Sequence, residues 1–325
     1  MQMIPAGKTA APVLPETVEQ YRKQARANNT KRSYTADWNH FQGWTWNKGY
    51  TVDPAQGQGA DPGMVAEYIT DMANGAAGRT YKPATIRRRL VAIGNIHKTC
   101  GLPDPTKHNV VREALAGIER NKGTRQTAKK ALLIEDVRAM VQHMSGDLLG
   151  VRDRALILLG YIGGFRRSEL VALKMEDIQF NRRGLEVFIA GSKTDQRKEG
   201  RSIPVPYSTD PATCPVRAVQ DWVQRAGIET GPLFRSVHGG KIGEKALAPR
   251  MVNHRIKRYV KAIGKDPAAY GAHSLRSGFV TQARRKGASI DKIMAQTGHK
   301  SIKMVQRYTQ TIDMWEDNAA ARILG

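Results

Sequence analysis

Six residues in the second half of the chain have side chains suited to phosphate chemistry. Arg166 stands in Gly164-Phe165-Arg166-Arg167-Ser168-Glu169-Leu170, after an apolar run and a Gly-Gly pair. Lys193 follows in Gly191-Ser192-Lys193-Thr194. His273 and Arg276 form an HxxR pair at a helix start, where residues three apart share a face. His299 follows Gly298, and Tyr308 comes nine residues later in Gln306-Arg307-Tyr308-Thr309. Singly, each has a plain explanation: a surface Arg–Glu helix pair, a solvated lysine in a turn, a helix stop, a half-buried aromatic. As a set they combine two guanidiniums, a lysine, two imidazoles and a phenol. Attack on a phosphodiester adds charge to its non-bridging oxygens, and guanidiniums clamp such oxygens with forked hydrogen bonds. A phenol has an ordinary pKa of about 10, so as a nucleophile it needs a base beside it.

The elements that must position these residues form a mixed pattern. Helices are expected over 134–144 and 148–162, then strands near 175–180, 185–190 and 202–205, with Lys193 at the turn between the last two. The remainder reads as helices at about 213–226, 249–263, 274–286, 289–296, 301–307 and 312–323. The first half reads as helical throughout. Asn29 and Thr30 are placed to cap a helix whose one face carries Tyr34, Trp38, Phe41 and Trp44, and Gly49 ends it. A second helix carries Val65, Ile69 and Met72, and Gly75 to Gly78 break it. Pro83 opens a third with Ile86, Leu90, Ile93 and Ile96, closed by Gly101, and a fourth lies near 110–118. Residues 1–14 read as a loose tail, 15–120 as an all-helical domain, 121–131 as a polar linker and 132–325 as an α+β domain. The expected fold class is mostly α, with one small three-stranded sheet in the second domain.

A chain of 325 residues, 40% hydrophobic and 25% charged, has globular proportions and room for two cores. No run approaches the ~18–20 apolar residues of a membrane helix, and no secretion signal opens the chain, so a cytoplasmic protein without a membrane partner is expected. Cys100 and Cys214 are 114 residues apart, neither in a CxxC pair, so both read as reduced thiols and no zinc site is expected. The net charge is +23. Residues 1–130 carry 20 basic and 10 acidic side chains and 131–325 carry 32 and 19, so both halves are basic and suited to nucleic acid. There is no GxxxxGK[ST], GxGxxG or HExxH, which leaves nucleotide and zinc-protease chemistry without support.

With its GFRRSEL, HSLR, TGH and RYT contexts, the ordered set Arg166, Lys193, His273-x-x-Arg276, His299, Tyr308 resembles the tyrosine recombinase (phage integrase) family. The gaps of 23 residues from Arg276 to His299 and 9 from His299 to Tyr308 agree with that family's spacing. The helical first half, with Gly101-Leu102-Pro103-Asp104-Pro105, looks like the SAM-like core-binding domain of the Cre-like two-domain branch. His299 departs from Cre itself, which carries Trp there; most of the family carries His.

The resemblance implies a DNA breaking-rejoining fold and a site-specific recombinase without cofactor or metal. Tyr308 would attack the phosphodiester, leaving a 3′-phosphotyrosine and a free 5′-hydroxyl. Strands would exchange in turn through a Holliday junction, in a homotetramer on two double-stranded sites with inverted-repeat half-sites. Arg166 and Arg276 would clamp the phosphate, His273 would serve as acid or base, and Lys193 would protonate the leaving 5′-oxygen. His299 would hydrogen-bond the phosphate, Glu169 would orient the site from behind, and the 312–323 helix would dock on a neighbouring subunit. Candidate DNA contacts are Lys82, Arg87, Arg88 and Arg89 on one helix and Arg250, Asn253, Arg255, Lys257 and Arg258 on another, with Lys31, Arg32 and Tyr34 as a third group. Two other readings stay open: a type IB topoisomerase-like enzyme, disfavoured by the helix after Tyr308, and a non-catalytic architectural DNA-binding protein, disfavoured by the intact set.

Overall fold

The computed structural model of the chain describes residues 28–125, 128–191, 200–306, 308 and 323. The expected tail at 1–14, Lys193 and, but for Ile323, the helix at 312–323 therefore lie outside the described residues. The chain divides into two compact units, one ending at Thr127 and one beginning at Ala128. No described helix is long and apolar enough to cross a membrane.

The first unit is helical, with no strand among its described residues. Helix α1 (Asn28–Asn47) turns Trp38, Phe41 and Trp44 inward, where Phe41 and Trp44 meet the buried ring of Tyr68 at centroid distances of 5.0 and 5.2 Å. Each buried ring of this size contributes about 1.5–3 kcal/mol. Asn29 and Thr30 lie within α1, which is described from Asn28 onward. Helix α2 (Pro62–Asn74) is capped by Asp61, which accepts from Gly63 N at 2.7 Å, and ends at Gly75, whose φ of +97° suits only glycine. Helix α3 (Pro83–Thr99) buries Ile86, Leu90 and Ile93. Helix α4 (Asn109–Lys122) runs two residues into the stretch read as linker.

The second unit is built around α6 (Leu148–Ile162), whose residues Val151, Ala155 to Leu159 and Tyr161 are buried. Against it pack α5 (Ile134–Gln142), α8 (Pro215–Ala226) and α10 (His273–Arg285). The short α7 (Arg167–Ala172) leads into an antiparallel sheet, β1 (Ile178–Asn181), β2 (Gly184–Ile189) and β3 (Arg201–Pro206), in that order. Period-2 alternation fixes its register: Leu185 faces Val205 and Val187 faces Ile203 on the buried side. The first strand begins later than expected, because residues 175–177 form a 3₁₀ turn in which Asp177 accepts from Lys174 N.

A second hairpin, β4 (Arg235–His238) and β5 (Lys241–Ala246), lies between the expected helices at 213–226 and 249–263, where the sequence reading places no strand. Helices α9 (Pro249–Ala262) and α11 (Ile290–Thr297) complete the named elements, and residues 302–306 are helical.

Candidate active site

The start of α10 is held by contacts from three directions. Ala272 N donates to Asn253 Oδ1 at 3.1 Å, Gly271 N donates to Ser274 Oγ at 3.0 Å, and Leu132 N donates to Ser274 O at 3.0 Å. Gly278 lies so close to this strap that a Cβ there would stand 1.8 Å from Leu132 O, so the position demands glycine. His273 thus sits on a fixed helix start, with Nε2 2.5 Å from the Tyr308 hydroxyl. Thr281, two turns further along α10, donates to Tyr308 O at 3.2 Å. A cleft of about 650 Å³ opens beside the phenol, lined among others by Lys129, Lys130, His273 and Thr281.

Arg276, one turn after His273, is 1% exposed. Its Nη1 donates to Gly164 O at 2.6 Å, while its buried Nη2 has no partner. Gly164 makes that carbonyl available from a φ of +59°, in the Gly-Gly bend after α6. Arg166 follows immediately as the residue ahead of α7. Its backbone N–H donates to Glu169 Oε2 at 2.9 Å, Nη1 donates to Glu169 Oε1 at 2.7 Å, and Nη2 donates to Gly298 O at 3.3 Å. Glu169 thereby caps the helix and orients the guanidinium at once. The same carboxylate accepts from Arg201 Nη2 at 3.2 Å. Arg201 was missed in the sequence, where it is one more basic residue at the head of a strand.

His299 is buried at the end of the α11 turn, 5.9 Å from the Tyr308 ring between centroids. Gln296 ties α11 to the end of α6 by donating to Ile162 O at 3.2 Å. The Thr297 hydroxyl donates to Ile293 O at 2.6 Å, so its oxygen is the acceptor for His299 Nδ1, also at 2.6 Å. A neutral His299 then carries its proton on Nδ1 and presents a bare Nε2.

Burial, reinforced by the Arg276 and Arg166 cations, pushes His299 down to about 3; His273 is exposed as a residue, and partial desolvation of its ring with the same two cations holds it below the usual histidine value. Burial, with the repulsion of Arg166, brings Arg276 down to about 10, which leaves it cationic at neutral pH. The site therefore sets neutral imidazoles and a phenol beside buried Arg276 and half-buried Arg166, an arrangement chemically suited to an anion and to accepting a phenolic proton.

The proposed DNA contacts separate into surface and interior. Lys82 and Arg32 are exposed, and Arg87 and Arg88 are exposed while pairing with Glu119 and Asp37. Lys31 and Tyr34 are half-buried. Arg89 does not belong with them: it is buried, donates to Tyr68 at 3.3 Å, lies 2.7 Å from His40 and pairs with buried Asp37. On α9, Arg250 and Arg258 are exposed and Lys257 is half-buried. Arg255 leans toward buried Asp153 at 3.7 Å, and Asn253 is engaged at the head of α10, so both have work inside the unit.

Residues 130–313 match the phage integrase family. The chain is 37% identical over 306 residues to an integrase/recombinase xerD homolog of Selenomonas ruminantium, covering 93% of this chain and 87% of the relative. It is 28% identical over 252 residues to the tyrosine recombinase XerC of Myxococcus xanthus, covering 74% and 76%. Its fold is similar to that of XerH site-specific recombinase bound to a palindromic difH substrate, with a TM-score of 0.60 at 20% identity over 81% and 72% of the two chains. It is also similar to the Tn1549 transposon integrase with circular intermediate DNA, with a TM-score of 0.61 at 15% identity over 90% and 92%. The family match over more than half the chain and the 37% identity across most of it agree with the order of the site residues: this chain belongs to the phage integrase family, the tyrosine recombinases.

Proposed function

We propose that the chain is a site-specific DNA recombinase in which Tyr308 is the nucleophile. The observation that carries the reading is the Tyr308 hydroxyl 2.5 Å from His273 Nε2, in a site where buried Arg276 holds an unpartnered donor. The phenol donates its proton to the neutral imidazole, and the phenolate oxygen bonds to phosphorus. Arg166 and Arg276 take the charge that develops on the non-bridging oxygens, a contribution worth about 10²–10³ in rate for a single preorganised donor. The bond from phosphorus to the 5′-oxygen breaks, and Lys193 supplies that oxygen's proton. His299 reaches the phosphate through Nε2, which requires a proton there; the incoming anion favours it. The 3′-phosphotyrosine link keeps the energy of the broken bond, so a 5′-hydroxyl from another strand reverses the step without a nucleotide cofactor.

The partner is double-stranded DNA. Its recognition is assigned to a core-binding domain at 15–120 and a catalytic domain at 132–325, joined by 121–131. Exchange runs through a Holliday junction in a homotetramer on two inverted-repeat sites, with the 312–323 helix docking on a neighbour. The test uses duplexes enriched by the protein from a randomised pool. Two such duplexes incubated with the protein are expected to yield four-way junctions and recombinant products. Relaxation of supercoils without junctions would instead assign a topoisomerase, and binding without cleavage an architectural protein.

A further inference from the structure

Arg201 stands at the head of β3 and, among the described residues, forms its one ion pair with a carboxylate that it shares. Glu169, its partner, is already engaged twice by Arg166, and the two guanidiniums share one buried carboxylate. Arg201 Nε is buried without a hydrogen-bond partner, so the side chain is held by what it packs on as well as by what it bonds. It packs on Gly298: a Cβ there would stand 2.6 Å from Arg201 Nη1 and 2.7 Å from Cζ. Gly298 also offers its carbonyl to Arg166 Nη2 and directly precedes His299. Arg201 therefore touches both groups that fix the Arg166 guanidinium, the carboxylate on one side and the Gly298 backbone on the other. No described contact places it on the phenol or the cleft beside it.

We propose that Arg201 is a positioning residue for DNA cleavage, holding the Glu169 carboxylate and the Gly298 backbone so that Arg166 meets the scissile phosphate in register. The inference rests on the recombinase reading above. Without Arg201, Glu169 Oε2 keeps the Arg166 backbone N–H as its donor but loses the second, and Gly298 loses the guanidinium packed on it, so the carboxylate and the Gly298 carbonyl hold Arg166 less tightly. The guanidinium is also a further, half-buried cation near His299 and Arg276, whose charged forms it disfavours. An anionic phosphate relieves that repulsion.

Single-turnover cleavage of a nicked duplex, with half-site binding measured in parallel, tests the proposal. Arg201→Met is expected to cut the rate roughly 10- to 100-fold, the order set by a small misplacement of a catalytic group, with half-site affinity held. Arg201→Lys, which keeps charge and stem but not the fork, should recover part of the loss. Placed on Glu169→Gln, Arg201→Met should cost less than about twofold more, because the two act through one carboxylate. A 5′-bridging phosphorothiolate, which needs no acid at the leaving atom, should not restore the Arg201→Met rate. The proposal is overturned by wild-type cleavage in Arg201→Met, by losses that multiply with Glu169→Gln, by phosphorothiolate rescue, or by a fall in affinity as large as the fall in rate. If Arg201→Met binds no DNA, Arg201→Lys decides: an unchanged rate there also overturns it. A wild-type protein that forms no adduct removes the recombinase reading itself, a result distinct from any of these.

Discussion

In the proposed reaction a single proton passes between Tyr308 and His273, which lie 2.5 Å apart. His273, though exposed as a residue, is held below its ordinary value of 6.5, first by partial desolvation of its ring and then by Arg276 and Arg166, so as the proposed base it stays neutral through the neutral range. The sign follows directly: a lowered value means the base form survives to more acid pH. Single-turnover cleavage should hold steady as pH falls to about 6.5 and decline only below it. His273→Gln should remove that decline and slow cleavage about 10²–10⁴-fold. A rate that rises on acidification would assign the base elsewhere. At this scale the sequence was informative where residue type and order carry the meaning, as with Arg166, HxxR, His299 and Tyr308. It was silent where meaning depends on what a side chain meets. Arg201 and Arg89 are both plain arginines in a basic chain, and only the fold sends one to Glu169 and the other into the Asp37, His40 and Tyr68 cluster.

Elements hold these groups at exact distances through a few backbone positions with no tolerance. Gly298 has a φ of +65° and the Arg201 guanidinium lies against its α-carbon. Gly298→Ala should destabilise the protein by about 1–2 kcal/mol from the backbone conformation alone. It should also slow cleavage, because Arg201 must move. Urea unfolding read beside single-turnover rates checks both, and an unchanged rate would mean that the packing around Arg166 is loose.

On α3, Arg89→Ala should cost about 3 kcal/mol by leaving Asp37 and its neighbours underpaired, whereas Lys82→Ala should leave the unfolding midpoint unchanged. Helices were legible because apolar spacing marks them, as Trp38, Phe41 and Trp44 do on α1. The β4–β5 hairpin was not, because of its residues only Val237 is buried and β5 exposes Lys241, Glu244, Lys245 and Ala246. Its strands carry no alternation to read.

Across the whole molecule, the charge of +23 is spread over both units, and an anionic duplex is the partner that such a distribution suits. Binding should weaken steeply with salt as phosphates shed their counterions. Replacing Lys82, Arg250 or Arg258 by Ala should each reduce the slope of log affinity against log salt by about 1. Arg89→Ala should not change that slope, since its guanidinium is committed inside its unit. Filter-binding titrations across a salt series distinguish these outcomes. The helical character of the first half was visible in its apolar spacing and its lack of a strand candidate. The reach of α4 to Lys122 was not, because its last turn, Arg120, Asn121 and Lys122, has the composition of a linker.

In the proposed reaction the Tyr308 oxygen becomes covalently joined to DNA. A labelled duplex from the enriched pool, nicked so that the cleaved end diffuses away, is incubated with protein and resolved on a denaturing gel, and the adduct is mapped by peptide mass. Wild-type protein should retain the label on the peptide that contains Tyr308. Tyr308→Phe, which keeps the ring and removes only the oxygen, should bind the duplex with unchanged affinity and form no adduct. An adduct in Tyr308→Phe, or a label on Tyr161, Tyr259 or Tyr270, would contradict the account.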